Sequence, residues 1–339
     1  MNRRLKIRHI RIVIVLMILL SISIVISINA GYTDLQISEI VKVLIGQGTA
    51  KNNMIILDFR LPRIIIAILV GMGFSLSGVV LQGLVRNPLA SPGLIGINAG
   101  AGLVVIIFIV IGGTLSFSSI MALPMLSLLG AALTGIIIYR LSSDPHKGIH
   151  PTQMVLNGIA IQAGINAVMT IIVMKLDENQ YEFLAKWQAG SIWNSNWEFV
   201  KALSPWIILG FAYLIFKAKH LDILVMGDDI SQGLGLKVLS DKKKLLFTAI
   251  ALAASSVAIS GSISFVGLMA PHLTRRLVGA RHRILIPTSA LIGGLLVLSA
   301  DTVARTIIEP AEFPTGILVS VIGAPYFLYL LIKQRKGKA

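Results

Sequence analysis

The chain has 339 residues, 55% of them hydrophobic and only 13% charged, with a mean hydropathy of +0.84. A soluble domain carries roughly 25% charged residues, so disorder is excluded and an ordinary soluble enzyme is disfavoured. The formal charge is nonetheless +15, which fits either nucleic-acid binding or a membrane protein with cationic loops on one side; the absence of cysteine removes disulfides, Cys-ligated zinc and thiol chemistry.

A bilayer span needs ~20 mostly apolar residues. About ten stretches qualify, at 12–28, 64–81, 94–111, 120–139, 154–174, 203–216, 245–260, 263–277, 284–300 and 313–332. The sixth is short, and the eighth is interrupted by Pro271, His272, Arg275 and Arg276. A basic run precedes the first, as in a signal peptide, but its 17 residues exceed the usual core of roughly 7–15. Ile28-Asn29-Ala30 is also a poor cleavage site, so this stretch is read as a retained helix.

Charge sets the orientation. With the N-terminus inside, 22 of the 30 Lys and Arg fall on inner segments and 8 outside, for a net +17 inside and −2 outside. That excess is the positive-inside pattern, and an even span number puts both termini in the cytoplasm. A nucleic-acid role is set aside because the charge is divided among six short segments rather than gathered on one face. Residues 1–339 read as a single all-α, polytopic membrane domain, its 31 glycines serving close helix packing.

The chain carries no G-x-x-x-x-G-K-[ST] phosphate loop and no H-E-x-x-H zinc motif. Asp301 sits at the outer end of the ninth stretch beside Arg305, where a local ion pair accounts for it. Without a mid-membrane carboxylate, proton or ion coupling is disfavoured, leaving a channel or a pore driven by a separate ATPase. The inner segment 217–244 reads as two short helices broken at Gly227 and at Gly233 to Gly235. Leu221, Leu224 and Val225, then Ile230 and Leu234, give them apolar sides. Asp222, Asp228 and Asp229 would oppose anionic headgroups, which favours a cytoplasmic protein partner over an interfacial helix.

Five blocks stand in order along the chain. They are Arg60-Leu61-Pro62-Arg63 with the glycine-rich 71–78 and Gln82; then Arg86-Asn87-Pro88-Leu89-Ala90-Ser91-Pro92-Gly93; then Met226-Gly227-Asp228 with Leu234-Gly235-Leu236. Residues 261–268 with Pro271-His272 and Arg276 follow, and lastly 301–305 leading through Glu312-Phe313-Pro314-Thr315-Gly316 to Gly323-Ala324-Pro325. Over about 58–332 the chain thus resembles the FecCD-type permeases of iron-siderophore, haem and cobalamin ABC importers. The resemblance implies the type II ABC importer permease architecture, with ten helices per subunit and two permease subunits around one pore. It also implies two ATPases on the cytoplasmic side, an extracellular binding protein, a ferric siderophore as cargo, a bacterial cell membrane, and no cofactor or resident metal.

The resemblance further implies that Arg60, Arg63 and Arg305 receive carboxylates of the binding protein, for which the planar guanidinium fork is suited. Reversal of Arg60 or Arg305 to Glu is then expected to weaken docking and leave the fold intact. Read from the residues alone, the same arginines are equally snorkelling anchors. Residues 221–238 match coupling helices that sit on the ATPases, carried by Leu221, Leu224, Met226, Gly227, Asp228, Leu234 and Gly235, with Gly235 making the turn. Asn157, Gln162 and Asn166 are candidate pore-lining residues, the last two sharing a helix face, although interhelical hydrogen bonding ranks ahead of substrate contact for them. Trp187, Trp193 and Trp197 mark an outer boundary stretch or part of the binding-protein footprint. A haem or cobalamin permease of the same architecture is the alternative cargo reading. A scaffold or sensor subunit without a pore, and a secondary carrier working through Asp301, are the alternatives from other classes.

Overall fold

Inside a bilayer each backbone N–H and C=O has to be satisfied within its own segment or by buried neighbours, and the apolar stretches accordingly fold as helices. The computed structural model describes residues 3–31, 35–112, 117–144, 148–192, 195–307 and 312–336. The elements in chain order begin with α1 (Arg3–Asn29), α2 (Ile37–Leu44) and α3 (Ala50–Asn53), which runs through a π-helical turn, Met54–Arg60, into α4 (Leu61–Val85). A 3-10 turn at Pro92–Ile95 leads to α5 (Ile97–Gly112), and α6 (Phe117–Ser142) follows. The only strands among the described residues, Ser143–Asp144 (β1) and Gly148–Ile149 (β2), form a two-residue antiparallel ladder before α7 (Pro151–Val173). Then come α8 (Glu178–Gln188), α9 (Trp197–Phe216), α10 (Ala218–Leu224), α11 (Asp228–Gly233), α12 (Val238–Ser260), α13 (Val266–Val278), α14 (His282–Ile307) and α15 (Thr315–Lys336).

Among the described residues seven helical runs are long and apolar enough to cross a membrane; they include α1, α3–α4, α7, α9, α12, α14 and the 124–142 part of α6. Shorter apolar runs lie in α5 and α15. The stretch at 263–277 departs from its expected form. Its helix starts only at Val266 and runs 13 residues, about 20 Å at 1.5 Å per residue, which is too short to span alone. The residues before it are not helical, and Phe265 sits at φ 66, a left-handed conformation that is costly for a bulky side chain.

α4 is the centre of the bundle, with 78% of its apolar window buried, and α14 makes the most extensive contact with it. Small residues set that contact. A Cβ on Gly71 would lie 2.1 Å from the Gly293 carbonyl oxygen, and one on Gly293 would lie 2.3 Å from that of Gly71. Ser75 Oγ adds a hydrogen bond to the Ser289 carbonyl at 2.6 Å, and Ser77 Oγ donates to the Ala249 carbonyl of α12 at 2.7 Å. These are the backbone approach and polar contacts that hold helices together where lipid tails are as apolar as leucine. α12, α13 and α9 complete the shell around α4, α1 lies on α14, and α5, α6 and α7 form a side layer joined through α12.

Gly71→Ala is expected to force α4 and α14 apart and cost about 1–3 kcal/mol, seen as a lower melting temperature in detergent. Gly164→Ala, where an added Cβ meets nothing within 4 Å, should leave it unchanged.

Candidate functional site

Two polar clusters and a mid-bundle cavity stand apart from the apolar core. The first cluster lies at the end of the bundle that the charge pattern puts outside. α1 stops there, and the last carbonyls of a helix have no intrahelical partner. Two arginines supply one. Arg60 donates to the carbonyls of Ile28 and Asn29, and Arg305 to those of Ser27 (3.3 Å) and Ala30 (3.4 Å) and to Ser27 Oγ (2.7 Å). Cations at a helix C-terminus also meet the negative end of its dipole. Beside them Asp301 is fully buried, takes a fork from Arg63 at 3.0–3.2 Å and accepts a hydrogen bond from Thr315 Oγ1 at 3.1 Å. Arg305 Nε lies 3.3 Å from Asp301 Oδ2, an electrostatic contact rather than an aligned hydrogen bond. Arg63 also pairs with Glu312 at 2.8 Å, and the Glu312 side chain is 45% exposed.

Arg60 and Arg305 are therefore not surface anchors. They are 7% and 8% exposed and committed to α1, so the expectation that Glu replacements leave the fold intact is corrected: each would set a carboxylate against carbonyl oxygens. Arg63 is held inward by Asp301, with Glu312 as the solvent-facing member of the set. Trp187 belongs to the packed interior margin, and Trp197 Nε1 donates to the Leu57 carbonyl at 2.9 Å; Trp193 lies outside the described residues.

The second cluster binds the α10–α11 segment to the opposite end. Gly227 (φ 128) breaks the two short helices and Gly235 (φ 82) turns the chain after them, backbone states that favour glycine. Leu221 and Leu224 are fully buried, so they anchor the segment and do not offer it to a partner. The exposed apolar residues are Val225, Met226, Ile230 and Leu234, with Met226 at 61% and Leu234 at 59%. Asp228 bridges Arg86, at the end of α4, and Lys242 of α12, whose Nζ is 2.6 Å away. Burial works against ionisation of Asp228, but the hydrogen bond and charge of Lys242, with Arg86, hold its carboxyl below the ordinary range. Asp222 is alike: burial opposes the charge, and hydrogen bonds from the side chain and backbone of His282 outweigh it. Those contacts measure 2.7 Å to Nδ1 and 2.9 Å to the backbone N–H. Between this segment and the start of α14 opens a cavity of about 580 Å³, whose lining includes Arg86, Arg275, Arg281 and His282. Sequence reading passed over Arg86, Lys242 and His282 as partners of the segment.

The mid-bundle cavity, about 300 Å³, is lined by Asn98, Gln162, Ser262, Phe265 and Phe327 among others. The non-helical run before α13 forms one wall, in keeping with the rule that irregular backbone at membrane depth lines a cavity or is buried. Asn98 Nδ2 donates to Ser262 Oγ at 2.9 Å. Of the candidate pore residues, Gln162 reaches this cavity and Asn166 is exposed on α7. Asn157 instead donates to the Leu141 carbonyl (3.1 Å) and Ser142 Oγ (2.9 Å), tying α7 to the end of α6.

Comparison with known proteins decides the wider question. The model of the FecCD transport family matches residues 19–333. The chain belongs to this family. It is 44% identical over 312 residues to the iron(3+)-hydroxamate import system permease protein FhuG of Bacillus subtilis (strain 168), covering 91% of this chain and 92% of that one. It is 42% identical to the Fe(3+)-citrate import system permease protein YfmE of the same organism, covering 94% of each. Its fold matches a solved inward-facing metal-chelate type ABC transporter with a TM-score of 0.84 at 32% identity, over 95% of this chain and 99% of that one. This FecCD permease is thus a multi-pass, non-enzymatic membrane subunit of an ABC importer, and its ATPase is a separate subunit.

Asp301→Asn leaves the guanidinium groups without their buried counter-charge and is expected to cost about 3–5 kcal/mol, read as a large loss of melting temperature. Glu312→Gln, at the exposed edge, should cost under about 1 kcal/mol. Because the folded Asp222 and Asp228 carboxyls lie below their ordinary values, their stabilisation is present above an unfolded pKa of ~3.9 and is lost as pH falls through the folded values. The protection of amides over 221–238, measured against their intrinsic exchange rates at each pH, should therefore be high at neutral pH and fall on acidification below about pH 4.

Proposed function

We propose that this chain forms half of the translocation pore of a ferric-siderophore importer in a bacterial cytoplasmic membrane, with both termini in the cytoplasm. It acts as one permease domain beside a second permease subunit, this chain or a paralogue, with two ATPases below and an extracellular binding protein above. The observation that carries the cargo assignment is full-length similarity to permeases named for iron(3+)-hydroxamate and Fe(3+)-citrate import. The charge pattern, 22 of 30 basic residues on one side, supports the orientation.

The coupling role rests on the segment 217–244. Met226 and Leu234, with Val225 and Ile230, offer an apolar contact to the ATPase, while Leu221, Leu224, Asp228 and the glycines at 227 and 235 hold and shape it. A push on this segment reaches α4 through Arg86, α12 through Lys242 and α14 through His282. α7, with 11% of its apolar window buried, presents Gln162 and Asn166 toward the pore. The binding protein docks at the outer end, where Glu312 is the solvent-facing residue; Arg63, Arg60 and Arg305 shape that end from within.

Met226→Asp with Leu234→Asp should abolish co-purification of the ATPase and iron uptake while shifting stability by no more than about 0.5 kcal/mol. Leu221→Asp should instead unfold the segment. Uptake of labelled hydroxamate and catecholate complexes, set against haem and cobalamin, tests the cargo: accumulation of haem or cobalamin alone would overturn it, as would a purified chain that transports under a proton gradient without an ATPase.

A further inference from the structure

A third cavity, about 340 Å³, lies apart from both clusters, between the N-terminal half of α1 and the start of α14. Its walls are Ile10, Val13, Ile14 and Met17 from α1 with Ile284 and Pro287 from α14. The four α1 residues follow the i, i+3, i+4, i+7 pattern of a single helix face. They are not the face that holds α1 in the bundle: Leu16 and Ile12 pack beside Ala270 and Ile292. The cleft therefore runs along α1 over about 12 Å, from residue 9 to residue 17.

Its polar groups lie at one end only. His9 immediately precedes the apolar stripe, and Arg283 is the second residue of α14. His9 Nδ1 is enclosed without a hydrogen-bond partner, and among the described residues no carboxylate pairs with Arg283. Pro287 has no N–H, so it cannot close the helical hydrogen bond to the Arg283 carbonyl. The mouth of the cleft thus joins a cation and an imidazole, and its depth is apolar.

We infer that this cleft binds one anionic phospholipid of the cytoplasmic leaflet, its phosphate on Arg283 and His9 and an acyl chain along the α1 stripe. An apolar cleft opening to the hydrocarbon is filled by a chain rather than by water, and basic pockets between spans on the cytoplasmic side select anionic headgroups. The inference rests on the orientation proposed above, with the α1 N-terminus in the cytoplasm.

The test uses the full chain in nanodiscs of mixed phosphatidylglycerol and phosphatidylcholine, with the tightly retained lipid counted by mass spectrometry after delipidation. Phosphatidylglycerol is expected to be retained over phosphatidylcholine. Arg283→Gln should lower its retention about fivefold, the effect of ~1 kcal/mol for one basic residue at the surface. Ile14→Trp, which fills the cleft and keeps the charge, should lower it as well. Arg140→Gln, at the inner end of α6 and outside the cleft, should not. Equal retention of both lipids, no change in either cleft variant, or an equal loss with Arg140→Gln would overturn the site. Orientation is read separately, since the chain has no cysteine of its own: Lys237→Cys should label only after the membrane is opened, and labelling of intact cells would overturn the cytoplasmic-leaflet assignment without touching the lipid counts.

Discussion

A carboxylate buried in a membrane protein costs several kcal/mol unless its partners are arranged for it, and Asp301 is fully buried. The end of this permease that the charge pattern puts outside is built around that requirement. Arg63 answers Asp301 with a fork, Thr315 adds a hydroxyl, and Arg305 brings a further charge. Arg305 and Arg60 also donate to the C-terminal carbonyls of α1, which ties that helix end to the same cluster. One node therefore fixes where α1, α4, α14 and α15 meet. Each member is tolerable in the interior only because the others are present.

The two ends of the bundle differ in kind. At the outer end the charges are buried and mutually dependent. At the inner end Asp222 and Asp228 keep roughly a third of their side-chain surface in solvent, at 37% and 35%, so their contacts can part and re-form at lower cost. Between the ends, α4 and α14 touch backbone to backbone through Gly71 and Gly293, a contact that transmits displacement because nothing compressible lies within it. The bundle thus yields more readily at the end that carries the α10–α11 segment and is stiffer at the end built on Asp301.

The apolar stretches and the charge asymmetry were legible because hydrophobic length and Lys/Arg placement act segment by segment. The start of α13 was not, since Ile263 and Phe265 continue the apolar pattern of a helix and only the tertiary setting holds Phe265 left-handed. The direction of Arg60 and Arg305 was invisible in the sequence: their acceptors are backbone carbonyls of α1, which carry no side-chain signature. In the inner segment the leucines were recognised as apolar, yet which of them face the core depends on α14 and α4 behind them. A usable signal for Lys242 was present. Val238, Asp241, Lys242, Leu245 and Ala249 recur at helical spacing, which puts an acid and a base on the buried face and asks for partners there; Lys217 and Asp228 are those partners.

The arginine grip on α1 has a consequence for how that helix can vary. Arg60 and Arg305 read Ser27, Ile28, Asn29 and Ala30 through main-chain oxygens, and Arg305 also reaches the Ser27 hydroxyl. Main-chain oxygens are the same whatever residue bears them. What the site recognises is thus the register at which the helix stops, just before Gly31 at φ 131. One residue inserted upstream would shift the later positions by about 1.5 Å and a little over a quarter turn, whereas exchanging one apolar residue for another would leave the oxygens in place. α1 is an anchor gauged by its length.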